Sequence, residues 1–205
     1  MSFSAGATTV ASPLVGSADS PLVTPDPRAV DCIKKNERGE PYWHGDASPG
    51  LLRAAEVLSA FVHENPDAAT GVAYCSDRSG VLIFVPEVSS VVDQAVHRAQ
   101  REVNDETETV DVVLVAAPLA PLQEAVDTVP SDLLDEAGIV SLGVDVLVGG
   151  VTLGIDPTSA SASDAMSRVL AEIESIVPGA LVRIEKEIDT APVRFSVDRR
   201  NDVAP

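Results

Sequence analysis

His44-Gly45-Asp46-Ala47-Ser48 brings an imidazole, a carboxylate and a hydroxyl within five consecutive residues. These are the groups of a general base, its orienting partner and a nucleophile, and acyl transfer is the chemistry they would serve. Spaced by two, however, they splay along a strand or loop and form no relay among themselves. His63 falls at the end of one helical pattern and His97 on the polar flank of another, both ordinary surface positions. No Gly-x-Ser-x-Gly elbow occurs. No catalytic residue is assigned.

Metal-site spacing is also missing, with no Cys-x-x-Cys, His-x-x-x-His or Asp-x-Asp-x-Asp-Gly run. Asn104-Asp105-Glu106-Thr107-Glu108 gathers carboxylates of the kind calcium uses, but without a dedicated ligand arrangement it reads as a solvated loop. Gly138, Gly143, Gly149, Gly150 and Gly154 match neither the dinucleotide fingerprint nor the phosphate loop. Hairpin and bulge positions account for them better. No metal and no cofactor is assigned. Asp46, Asp77, Asp145 and Asp156 fall at predicted loops or strand ends, where an acidic site could assemble from distant residues. Cys32 and Cys75 either form one disulfide, worth ~3–4 kcal/mol in the chain-entropy account, or are two small buried hydrophobes. The polar surroundings of Cys32 tip the reading slightly toward the disulfide.

The elements that would position these residues form a repeat. Gly80-Val81-Leu82-Ile83-Phe84-Val85-Pro86 and Gly150-Val151-Thr152-Leu153-Gly154-Ile155-Asp156-Pro157 each precede a helical pattern and a return strand. The offset is 70 residues from Gly80 to Gly150, and the same offset matches Val110 to Ala180 without a gap. Ser48, as N-cap, and Pro49 open a helix with the stripe Leu51, Leu52, Ala55, Leu58, Phe61 and Val62, ended by Asn65-Pro66. Gly71–Cys75 and Val81–Val85 read as a hairpin, Ser89–Val103 as a helix and Val110–Val115 as a strand. Val81–Val85 is apolar throughout, as in a central strand or one covered on both faces.

In the second copy a short helix over Leu119–Val129 ends at Pro130, then Ile139–Val146 and Val151–Ile155 pair, and a helix over Asp164–Val177 leads to an edge strand over Leu181–Ile188. Each copy is thus an α-β-β-α-β unit, and the fold class is α+β: two tandem units with helices packed on one face of small, mostly antiparallel sheets. The units cover residues 31–117 and 118–190, after a disordered, Pro-broken lead-in at 1–30 and before a tail at 191–205. Val193–Val197 reads as one further strand candidate in the tail. One continuous sheet and two small ones fit the pattern equally. The single tryptophan, Trp43, is expected to cover the edge of the core.

Composition narrows the classes further. Thirty-two acidic residues against 14 basic ones give a formal charge of -18, which opposes nucleic acid and anionic lipid. Aromatics are only 3%, so the core must be aliphatic. No apolar stretch approaches the ~20 residues needed to span a bilayer, and the N-terminus lacks the basic start and unbroken apolar run of a signal peptide. The expected location is extracellular, by prior cleavage or another export route, with the cytoplasm as the alternative.

Gly138-Ile139-Val140-Ser141, Asp145, Gly150 to Asp156, the Ala-rich helix, Leu181-Val182-Arg183-Ile184-Glu185 and the Ala117-to-Ala125 link resemble the propeptides of secreted bacterial serine proteases of the streptogrisin and α-lytic type. The resemblance spans residues 70 to 188. It implies a noncatalytic module that packs a small sheet on a protease, templates its folding and inhibits it. The chain contains neither the protease's catalytic His segment nor Gly-Asp-Ser-Gly-Gly, so such a role would act in trans. The leading expectation is therefore a noncatalytic protein-binding module with a protein partner, a protease first among them. A structural component of a larger assembly, or an enzyme or accessory subunit with an acidic site, are the alternatives.

Overall fold

The computed structural model describes residues 27–36, 42–156 and 163–186. After a short helix α1 (Pro27–Cys32), the first unit runs α2 (Pro49–Glu64), β1 (Gly71–Tyr74), β2 (Gly80–Val85), α3 (Ser90–Glu102) and β3 (Thr109–Leu114). The second runs α4 (Leu119–Thr128), α5 (Ser131–Ala137), β4 (Ile139–Asp145), β5 (Gly150–Ile155), α6 (Ser163–Ile176) and β6 (Val182–Lys186). The α+β repeat is present, and its strands form two separate three-stranded sheets, β1-β2-β3 and β4-β5-β6. Each is mixed. The hairpin pair is antiparallel, and the strand returning after the helix lies parallel to the central one.

Local chemistry sets the boundaries. The Ser48 hydroxyl accepts from the Leu51 N–H at 3.0 Å and Pro occupies the first turn of α2, while Asn65 caps its end through the Phe61 carbonyl. Ser89 caps α3 in the same way, accepting from Val92. Leu51, Ala54, Leu58 and Val62 of α2 meet Val92, Ala95 and Ala99 of α3 over Val81, Ile83 and Val85 of β2. Leu122, Ala125, Ala137, Val169 and Ile173 cover Val151 and Leu153 of β5 in the second unit.

The hairpin registers confirm the 70-residue offset: Val72 pairs with Ile83 as Leu142 does with Leu153, and Tyr74 with Val81 as Val144 does with Val151. The parallel side corrects it. Val81 pairs with Val110, but Val151 pairs with Val182, so the counterpart of Val110 is Val182 and not Ala180. The second crossover is two residues longer. An even insertion keeps every side chain on its own face of the sheet, which is why the sequence pattern tolerates a gapless alignment.

Two further elements depart from expectation. α5 is a second helix beyond Pro130, so the second unit is α-α-β-β-α-β; Gly138, left-handed at φ 68°, ends it by donating to the Leu134 and Asp135 carbonyls. α1 begins at Pro27, inside the stretch read as a disordered lead-in, because a proline at a helix start gives up an N–H that has no helical partner anyway. The remainder of that lead-in, residues 1–26, and the Val193–Val197 strand lie outside the described residues.

β2 is buried on both faces. Opposite α2 and α3, Leu82 and Phe84 join Val113 and Val115 in a second core, closed by Ala29 of α1, by Ile33 just after it, and by Val146 and Leu147 of the β4–β5 turn. Full burial of residues such as Phe84 and Leu82 contributes ~2–3 kcal/mol each. The turn from the second unit thus completes the core of the first. Hydrogen bonds fix this junction: the Ala116 N–H donates to the Val148 carbonyl at 3.1 Å, the Thr70 hydroxyl to the Ala117 carbonyl at 2.6 Å, and the Leu119 N–H to the Ala69 carbonyl at 3.0 Å.

Candidate binding surface

The hydroxyl and imidazole of the 44–48 segment go to separate structural tasks, and its carboxylate, Asp46, is exposed. Ser48 donates to the Glu108 carboxylate at 2.9 Å while capping α2. His44 is exposed and packs edge-on against Tyr42, with ring centroids 4.8 Å apart. His97 faces Gln100 at 3.2 Å on the surface of α3. Asp105 spends one carboxylate oxygen on the backbone N–H and hydroxyl of Thr107, an intraloop turn that ties up a ligand atom calcium would need. Among the described residues, no group of three His, Cys, Asp or Glu side chains stands where it could hold a metal ion.

The four aspartates at loops and strand ends do not converge. Asp145 pairs across the sheet with Gly150 at one end of β5 and Asp156 follows the other end, on the order of 20 Å away for six residues of extended chain. Asp77 lies in the β1–β2 turn of the other unit, held by Ser79, and Asp46 is exposed ahead of α2.

Cys32 and Cys75 form a disulfide, with Cα atoms 4.6 Å apart. It ties α1 to the end of β1, where the Ser76 N–H also donates to the Cys32 carbonyl and the Lys34 N–H to the Ser76 hydroxyl at 2.7 Å.

Among the described residues Asp145 is the one buried carboxylate. Its Oδ2 lies 2.8 Å from Arg183 Nη1 and 3.5 Å from the Thr152 hydroxyl, and its Oδ1 accepts from the Leu147 N–H at 3.1 Å. Asp145 is 6% exposed and Arg183 37%, so this is a carboxylate fixed at the base of a sheet with its cation at the rim. Glu185, 3.8 Å from Arg183, extends the charged row. Arg183 and Thr152 escaped the sequence reading. The alternation of charged with apolar residues in Leu181–Glu185 is the signal that marks them as one face of an edge strand.

The outer faces of the two sheets differ. Across the first, the rows are Ala73, Leu82, Asp111 and Gly71, Phe84, Val113; across the second they are Gly143, Thr152, Arg183 and Ser141, Gly154, Glu185. The first face is apolar and covered by α1. The second is polar, and a Cβ placed on Gly143 would meet nothing within 4 Å.

The sheet edges differ as well. Trp43, expected to cover the core edge, is 47% exposed and instead covers the β1 edge, its indole N–H donating to the Tyr74 carbonyl at 3.1 Å. At β6, the Val151 N–H donates to the Leu181 carbonyl. With Val151 in register with Val182, parallel ladder geometry turns the backbone groups of Arg183 and Glu185 toward β5 and those of Val182 and Ile184 outward. No described strand pairs with that edge, and Ile184 is 44% exposed on it. No described helix is long and apolar enough to cross a membrane. Comparison with protein-family models and with curated proteins finds no match to this chain.

Proposed function

We propose that this chain is a noncatalytic protein-binding module that adds an extended segment of a protein partner to the open edge of β6. The observation that carries the reading is the outward-facing amide row at Val182 and Ile184, which no described strand pairs, beside an exposed isoleucine. Main-chain pairing supplies affinity in strand addition, and side-chain pockets beside the edge supply selectivity. An unprotected edge of this kind is a liability unless a partner or another segment occupies it.

A secreted serine protease of the streptogrisin or α-lytic type is the first partner to test, because the second unit resembles their propeptides. The disulfide supports export, since such bonds persist in oxidising compartments. The test is direct: the purified chain is titrated into proteases of this type, with inhibition and recovery of activity from unfolded protease as readouts. Saturable inhibition in trans, weakened at least tenfold by Ile184→Pro, is the expected result. Proline at 184 removes an amide that faces outward and leaves the β5 ladder intact. Absence of binding to every protease tried overturns the protease assignment. Light scattering of the protein alone reads the competing outcome, in which the same edge pairs two copies in a structural assembly.

A further inference from the structure

A cleft of about 330 Å³ lies where the two units meet. Its floor is apolar, formed by Ala29 and Ile33 from the α1 segment and by Leu147 and Val148 from the β4–β5 turn. Its rim carries three cations, Lys34, Lys35 and Arg183. In a chain with 14 basic residues and a formal charge of -18, that concentration selects for a ligand carrying negative charge. The volume is at the lower end of the ~300–1,000 Å³ range of small-ligand sites, room for a residue or two.

Arg183 is built into the site, and the backbone that carries Lys34 is held in place. Asp145, buried and bonded also to Thr152 and the Leu147 N–H, holds Arg183 through Nη1, with Glu185 3.8 Å from the same atom; among the described residues no carboxylate pairs with its Nη2 or Nε. A guanidinium has five N–H donors in a planar fork, so most of its hydrogen-bonding capacity remains for an anion. The backbone of Lys34 is fixed by its bond to the Ser76 hydroxyl, next to the disulfide. Asp145 is thus a positioning residue, and the lysines and Arg183 are the groups that would touch the ligand.

We propose that this cleft receives the C-terminal residue of a partner polypeptide, with an apolar side chain on the floor and the terminal carboxylate among Lys34, Lys35 and Arg183. Arg183 belongs to β6, so the cleft adjoins the edge assigned to strand addition. The choice of a peptide over a free fatty acid rests on that assignment; the apolar floor and cationic rim do not.

Titration calorimetry with N-acetyl-Ala-Val-Leu as the free acid, its C-terminal amide and octanoate tests the proposal. The free acid is expected to bind saturably at one site, with the amide and octanoate each at least tenfold weaker. Equal binding of acid and amide, octanoate as tight as the peptide, or no saturable binding would each overturn it. The double variant Lys34→Glu/Lys35→Glu changes two exposed side chains. It is expected to lose at least tenfold in affinity for the free acid at an unchanged melting temperature, and unchanged affinity contradicts the site. Ile184→Pro disables the edge and leaves these groups in place, so it should bind the tripeptide normally. Loss of partner binding in that variant with tripeptide binding retained separates the two sites, and failure of the tripeptide alone sinks the cleft without touching the edge.

Discussion

Asp145 stands in the second unit where Cys75 stands in the first, each at the end of the outer hairpin strand and each buried. Both anchor something across the sheet's end. Cys75 ties down α1 through the disulfide, and Asp145 ties down Arg183 of β6 through an ion pair. One backbone site closed in two ways accompanies the difference between the outer faces: the first is apolar beneath α1, and the second is polar.

Reduction of the Cys32–Cys75 bond should lower stability by about 4 kcal/mol, because a cross-link across 43 residues restricts the unfolded chain. For a protein of this size that corresponds to a fall of roughly 8–16 °C in melting temperature. Calorimetry with and without reductant, alongside Cys32→Ser/Cys75→Ser, measures it. A change under about 2 °C would contradict the stapling role.

Gly149→Ala should be among the most damaging turn substitutions, because Gly149 is buried. Gly149 has φ 63°, and a Cβ there would lie 2.8 Å from the Ala117 backbone, which cannot move without opening the junction between the units. The expected cost is at least about 2 kcal/mol, read as the shift in a urea unfolding midpoint. A neutral substitution would mean the turn does not dock on residues 116–117 as described.

Asp145→Asn and Arg183→Gln should be unequal. Removing the carboxylate leaves a cation that is already partly in water, at a cost of about 1–2 kcal/mol. Removing the guanidinium strands a buried carboxylate, at about 3 kcal/mol or more. Urea unfolding of the two variants gives the order, and the reverse order would show that the pair is not buried on the aspartate side.

Two exposed carboxyls should titrate low. The Ser79 hydroxyl, and then the Ser79 N–H, hold Asp77 below its ordinary 3.8; the Thr107 N–H, and then its hydroxyl, do the same for Asp105. A carboxyl lowered by folding stabilises the native state fully above about pH 4, and the contribution disappears as pH falls through the lower native value. Ser79→Ala should move Asp77 further toward 3.8 than Thr107→Ala moves Asp105, because the hydroxyl is the larger cause at Asp77, whereas at Asp105 the larger cause is the backbone N–H, which the substitution leaves in place. NMR titration of the side-chain carboxyls distinguishes the two, and equal shifts would refute the assigned order of causes.

Much of the fold is legible in the sequence because its signals are local. Ser48-Pro49 and Ser89 start helices by satisfying free amides, and the apolar run Val81–Val85 marks a strand covered on both sides. α5 was hidden by Pro130, which reads as a stop although it immediately precedes a new helix. The two-residue lengthening before β6 was hidden because side-chain alternation has a period of two. The Asp145–Arg183 pair was illegible because its members are 38 positions apart and meet only through the β5–β6 register. The cleft draws its floor and rim from both units, so no single stretch of sequence displays it.

Amide hydrogen exchange along β6 tests the open edge most directly. In the free protein, Val182 and Ile184 should exchange rapidly while Arg183 and Glu185 are protected by the β5 ladder. With a protease bound at saturation, Ile184 should slow by at least tenfold. An Ile184 amide already protected in the free chain, or one whose exchange is unchanged when the partner binds, would contradict the account.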